Sequence, residues 1–231
     1  MMEMLPAYIA VVFILTTFGC VAFLLQAIKS VGLERLPSKI LIYLLPLWIV
    51  FSGALALGGF YQNASSVPPR VFLFGVFPAL LLIIIYFLLF RRGFIESMPL
   101  RVLTLLHVVR IPVELVLYWL FIGGLMPQMM TFEGRNFDIL SGILAPLVYL
   151  VAFRGKTTVK WLLVAYNVIG LILLANVVSI AALSMPSPMQ QLNFGQPLRA
   201  VMFFPYIWLP AIVVPIVLFA HLASLWKLLR N

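Results

Sequence analysis

Charge is what this sequence has least of. Only 9% of its 231 residues are Asp, Glu, Lys or Arg, and just six are acidic; a soluble domain carries roughly 25% charged residues. With 65% hydrophobic residues and a mean hydropathy of +1.18, every long stretch is apolar. That leaves no room for a soluble domain and implies an integral membrane protein. There is one cysteine, Cys20, inside an apolar run, so no intrachain disulfide can form and the redox compartment cannot be inferred. The chain has two histidines, no Cys/His metal cluster, no Gly-rich phosphate loop and no HExxH. The opening MMEMLPAY has no Lys or Arg ahead of the first apolar run. It therefore lacks the positive region of a cleaved signal peptide, and that run is expected to persist as a helix.

What the chain does have is a series of apolar runs long enough to cross about 30 Å at 1.5 Å per residue. Seven are expected, at approximately 6–28, 40–61, 71–90, 102–125, 139–153, 161–183 and 201–226. The fold class this implies is all-α: one domain, a bundle of seven transmembrane helices. The connections are short except 126–138 and 184–200, which are rich in Pro, Gly, Gln and Asn. Helices 1–3 and 5–7 share no motif, so the internal repeat of many transporters is not visible.

Lys and Arg sort between the two sides of this bundle. Lys29, Arg35, Lys39, Arg91, Arg92, Arg101, Arg154, Lys156, Lys160, Lys227 and Arg230 fall on one side, and Arg70, Arg135 and Arg199 on the other. By the positive-inside rule the N-terminus is outside, the C-terminus is cytoplasmic and the protein is a multi-pass component of the cell membrane. The net charge of +9 is then topological, with some attraction to the anionic headgroups of membrane lipids. No basic region lies away from the lipid-adjacent loops, so no nucleic-acid partner is expected.

The remaining Arg, Arg110, falls inside the fourth span. His107, Arg110, Glu114 and Tyr118 are spaced by three, four and four residues, which puts them on one helix face. Such a stripe must face protein or water rather than lipid. Counted from Arg101, Arg110 and Glu114 lie about 13 and 20 Å deep. Each charge alone would cost roughly 2.5–3.5 kcal/mol there, so an Arg110–Glu114 pair is expected to offset part of that cost. Pro112 removes the N–H that would bond the Val108 carbonyl, and a kink is expected beside the pair. The bland reading is a structural salt bridge; the functional one is a site for a ligand, proton or ion.

His221 lies six residues before Lys227 and His107 six after Arg101, which places both roughly 9 Å from the basic face. Two histidines at one depth could share a metal or haem, although most such residues are simply hydrogen-bonded. Asn167, seven residues past Lys160, comes to a similar depth and could hydrogen-bond into this cluster. Asn176 falls on nearly the opposite face of its helix and is expected to serve a different helix contact. Outside, FEGRNFD carries Glu133, Arg135, Asn136 and Asp138. Asn136 or Asp138 is expected to cap the fifth helix, with Arg135 paired to Glu133 or Asp138. The alternative is the rim of an outward-facing site with Arg199 and Asn193. Asn63-Ala64-Ser65 matches a glycosylation acceptor, relevant only in a eukaryotic secretory pathway.

Helix count and an outside N-terminus resemble retinal proteins and G-protein-coupled receptors, but the motifs of those families are missing. The last helix, VMFFPYIWLPAIVVPIVLFAHLASLW, has no lysine for a Schiff base. Helix 3 ends IIIYFLLFRRG, without an acidic-Arg-aromatic triplet. Two histidines are too few for the zinc site of a ceramidase-type amidohydrolase. Three functions follow as expectations. The first is binding or transport of a small molecule, a lipid-like ligand or protons around His107, Arg110 and Glu114, reached from the cytoplasmic half, with Arg110 as anion contact. The second is a membrane-embedded enzyme acting on lipid, with His107 or His221 as acid or base. The third is a non-catalytic subunit of a membrane complex, haem-bearing or not, or a homo-oligomer. Cofactors are not legible.

Overall fold

The computed structural model describes residues 5–155 and 157–230. Lys156, one of the basic-side cations, and residues 1–4 of the opening segment lie outside them. Among the described residues the chain is all-helical, without strands. Six helices are long and apolar enough to cross a membrane: α1 (Ala7–Val31), α2 (Leu36–Leu57), α3 (Phe72–Leu89), α4 (Leu100–Ile122), α6 (Lys160–Ser184) and α7 (Leu209–Arg230). Between them α5 (Asp138–Phe153) has only 16 residues, or about 24 Å. The last helix begins at Leu209 rather than near 201. Residues 200–202 form a separate 3-10 turn, and Pro205 and Pro210, which have no N–H to give, hold the α-helical ladder back.

The bundle is apolar outside and holds a polar cluster within a largely apolar interior. Leu15, Tyr43, Leu47, Leu88, Leu150 and Ile172 are exposed on its periphery, whereas His107, Arg110, Glu114, Asn136, Asp138, Ser141, Asn167 and His221 are buried. That inversion suits a hydrocarbon solvent, in which apolar side chains face lipid and polar ones pair internally. Helix α4 lies at the centre, against α1, α5 and α7, and α7 also packs on α6. Two glycines permit close approaches between helices. A Cβ on Gly142 of α5 would stand 2.9 Å from Ile111 Cγ1 and 3.3 Å from Arg110 Cβ. A Cβ on Gly170 of α6 would collide with the His221 ring. Small residues of this kind let membrane helices meet backbone to side chain.

The basic residues gather at one end of the bundle. Arg35 donates to the Gly93 carbonyl at 2.7 Å, Lys227 to Met98 O at 2.7 Å, and Arg230 pairs with Glu96 at 2.6 Å. Arg101 lies over the Phe153 ring and Arg91 over Trp226. At the other end the two long loops pack on each other. Gln196 donates to Met126 O at 2.7 Å, and the Arg199 and Ala200 amides both donate to Leu125 O. The loop ahead of α5 turns inward, burying Met130, Thr131 and Asn136.

A buried polar cluster at the centre of the bundle

Pro112 shapes the local backbone. Residues 107–109 tighten into a 3-10 turn between α-helical segments, and the Arg110 amide donates back to His107 O. The break lies one turn before the proline, where a missing N–H and a ring clash fall.

Arg110 is the hub. Its Nε donates to Asp138 Oδ2 at 2.8 Å and its Nη2 to Asp138 Oδ1 at 2.5 Å, the bidentate geometry that a guanidinium and a carboxylate favour. Nη1 donates to Ser141 Oγ at 2.7 Å and faces His221 Nε2 at 3.2 Å; Nη2 also reaches Gly170 O at 3.4 Å. The five guanidinium donors are all used. The sequence-based pairing of Arg110 with Glu114 is therefore corrected: the ion pair is Arg110–Asp138, between α4 and the first residue of α5. The i,i+4 neighbour lost because Asp138 offers both oxygens in the guanidinium plane.

Glu114 has a different partner. Asn136 Nδ2 donates to its Oε1 at 2.7 Å and to Met130 O at 3.0 Å, while Asn136 Oδ1 accepts the Asp138 amide at 3.1 Å. Asn136 thus caps α5, as its residue type suggested, and also holds Glu114. The other Glu114 oxygen, Oε2, is buried without a partner. Glu114 is one of the residues around a cavity of about 90 Å³, with Arg110 and Asp138 beside it and a remaining wall that is apolar, including Val113, Met130, Val177 and Val213. Met185, Leu198 and Val201 also line it, so it lies on the side of the two long loops, opposite the basic end from which access was expected.

The histidines meet. The His107 and His221 rings stack at 3.7 Å with 15° between planes, and Tyr166 approaches both. Near-parallel stacked rings aim their in-plane nitrogens along separate planes, so the two do not converge on one ion. Asn167 joins the cluster, its Oδ1 2.9 Å from His221 Nδ1 and its Nδ2 donating to Leu163 O at 2.7 Å. Since the Asn167 amide donates to a carbonyl, its oxygen must accept. His221 therefore donates from Nδ1 and accepts from Arg110 at Nε2. Both ring nitrogens of His107 are buried and unpartnered.

The other sequence-selected residues fall apart from this cluster. Tyr118 packs on Phe132 at 5.0 Å and faces Glu133, well along α4 from the ion pair. Glu133 and Arg135 are exposed, and the Arg135 side chain forms no ion pair with Glu133 or Asp138 among the described residues. Its carbonyl accepts from Asn176 at 2.7 Å, so the separate contact of that residue is to the loop before α5 and not to another helix. Asn193 donates to Ser184 Oγ at 2.7 Å. FEGRNFD is therefore split: Asn136 and Asp138 turn inward, and Glu133 and Arg135 stay at the surface. Three participants were not singled out from sequence: Ser141, Tyr166, whose hydroxyl donates to Ser141 O at 2.9 Å, and Gly170. The available signal was the i,i+3 spacing of Ser141 to Asp138 and of Gly170 to Asn167; Tyr166, adjacent to Asn167, had none.

No curated protein and no solved structure matches this chain. A family model does, over residues 67–229, from the loop before α3 to the end of α7, a range that holds every residue of the polar cluster. The chain belongs to the family defined by the domain of unknown function DUF8737.

Proposed function

We propose that this is a multi-pass protein of the cell membrane, N-terminus outside, that binds and transports a small ligand at Glu114. The ligand has a largely apolar body and a hydrogen-bond-donating head, such as a hydroxyl, an amine or a transferable proton. The observation that carries the reading is a buried, unpartnered carboxyl oxygen, Oε2, on Glu114, a residue that lines a cavity of about 90 Å³. A carboxyl oxygen left unsatisfied in a protein interior is costly and calls for a donor. Arg110 does not serve as an anion contact in this reading, because Asp138, Ser141, Gly170 and His221 take its donors. Instead the Arg110–Asp138 pair presents a neutral, fixed wall. From Glu114 through Asn136, Asp138, Arg110 and His221 to His107, polar side chains continue into the opposite half of the bundle, which favours transfer over mere storage.

The test is native mass spectrometry of gently extracted protein, wild type against Glu114→Gln. Glutamine keeps the acceptor toward Asn136 and turns a donor toward the cavity. A charged hydrogen bond is worth about 1.5–3 kcal/mol, so retention of the bound small molecule should fall by roughly 10- to 150-fold while the fold persists. Equal retention in both proteins, or no retained molecule in either, refutes the reading.

A further inference from the structure

We infer that a groove between α2 and α3, remote from Glu114, binds one acyl chain of an anionic phospholipid. Helix α3 is the least enclosed span, with only 11% of its most apolar window buried. It and α2 flank a cleft of about 270 Å³ floored by α7. The two polar tips along it are consumed internally: Trp48 Nε1 donates to Ala211 O at 3.1 Å and the Tyr86 hydroxyl to Pro37 O at 2.7 Å. What faces the cleft is hydrocarbon, from Leu41, Leu45, Leu82 and Ile216 among others. A space so lined does not hold water and suits an apolar chain.

Charge selects the occupant. The walls end at Arg35 and Lys39, at the start of α2, and at Arg91 and Arg92, just past α3. Arg35 donates to Gly93 O, which ties the two rims together. Against these four cations stand two local carboxylates, Glu34, 2.9 Å from Lys39, and Glu96, which is paired with Arg230. Arg92 is exposed. At the far end of the same helices Arg70 is turned to Phe60, donating to its carbonyl at 3.0 Å and covering its ring. A chain in the groove thus carries its headgroup to a cationic rim at one end only. A basic side chain at a membrane surface favours an anionic headgroup by about 1 kcal/mol, or about fivefold.

The full-length protein in phosphatidylcholine vesicles provides the test, because Trp48 lines the groove and brominated acyl chains quench tryptophan on contact. A low mole fraction of brominated phosphatidylglycerol is compared with the same fraction of brominated phosphatidylcholine. The anionic lipid is expected to quench selectively, and Trp48→Phe should abolish the selective part. Arg92→Gln should weaken the anionic lipid's apparent affinity about fivefold. Ala79→Phe, which fills the groove and leaves every charge in place, should remove selective quenching. Equal quenching by both lipids means bulk contact and overturns the proposal. Trp48 fluorescence insensitive to either lipid means that a second protein copy covers the groove, and overturns it too.

Discussion

Replacing Asp138 and Arg110 singly and together should separate the structural pair from the functional carboxyl. Two hydrogen bonds, at 2.8 and 2.5 Å, join these side chains. Taking about 4 Å between charge centres and an effective dielectric near 20, their attraction is about 4 kcal/mol. Removing one partner strands the other charge in the interior, where the loss is typically about 3–5 kcal/mol. Asp138→Leu and Arg110→Met should each lower the unfolding free energy by about that amount. The double variant should cost no more than either single one, since a buried ion pair replaced by apolar groups is commonly neutral. Glu114 meets Arg110 only through Asn136 and Asp138, so the Arg110→Met, Glu114→Leu cycle should show a coupling well below that of Arg110 with Asp138. Reversible unfolding in mixed micelles, titrated with denaturing detergent, gives the six free energies of the two cycles. Coupling of Arg110 to Glu114 that equals or exceeds its coupling to Asp138 would refute the assignment.

Gly170→Ala forces the His221 ring away from α6; it should destabilise by about 1–3 kcal/mol and erase the Nδ1–H resonance of His221 in a nitrogen NMR spectrum. Ser141→Ala removes an acceptor from a charged donor and should cost about 1.5–3 kcal/mol in the same unfolding assay. Glu34 lies outside the spans, and its hydrogen bond and charge contact with Lys39 hold its carboxyl below the ordinary value. A lowered carboxyl contributes stability above its ordinary value and loses it as pH falls through the folded one. Both partners are too exposed for that to register, so Glu34→Gln should leave the melting temperature unchanged while NMR shows the depressed titration of the wild-type group.

Helices were legible because hydropathy is a local property, and six of the seven expected spans are matched by helices of membrane-crossing length. The histidine juxtaposition was also within reach: six residues from Arg101 and six from Lys227 put His107 and His221 at one depth, and the rings stack there. Whether α4 and α7 touch is a tertiary fact that counting residues cannot supply. The partner of Arg110 was missed for the same reason. Spacing points to Glu114, the neighbour one turn on, whereas Asp138 is 28 residues away in a segment whose polarity reads as an outside loop. Hydropathy likewise extends the last span back to 201, because it does not register the backbone donors that prolines remove.

The short fifth helix explains why a charge pair sits so deep. At about 24 Å, α5 falls short of a bilayer core of about 30 Å, so its Asp138 end lies within the protein rather than at its surface. The segment before it must then satisfy its polar groups internally. It does so through Thr131 Oγ1 to Gln128 O, the Gly134 amide to Thr131 O, and Asn136 to Met130 O. Asp138 gains from the N-terminus of its own helix as well as from Arg110. Among the described residues, no buried side-chain polar atom of this inward turn lacks a partner. Glu114 Oε2, on a residue beside the same turn and lining the cavity, has none. A group that only secured the loop would be satisfied as Asp138 is, and the unsatisfied oxygen is therefore the one to which we assign the ligand.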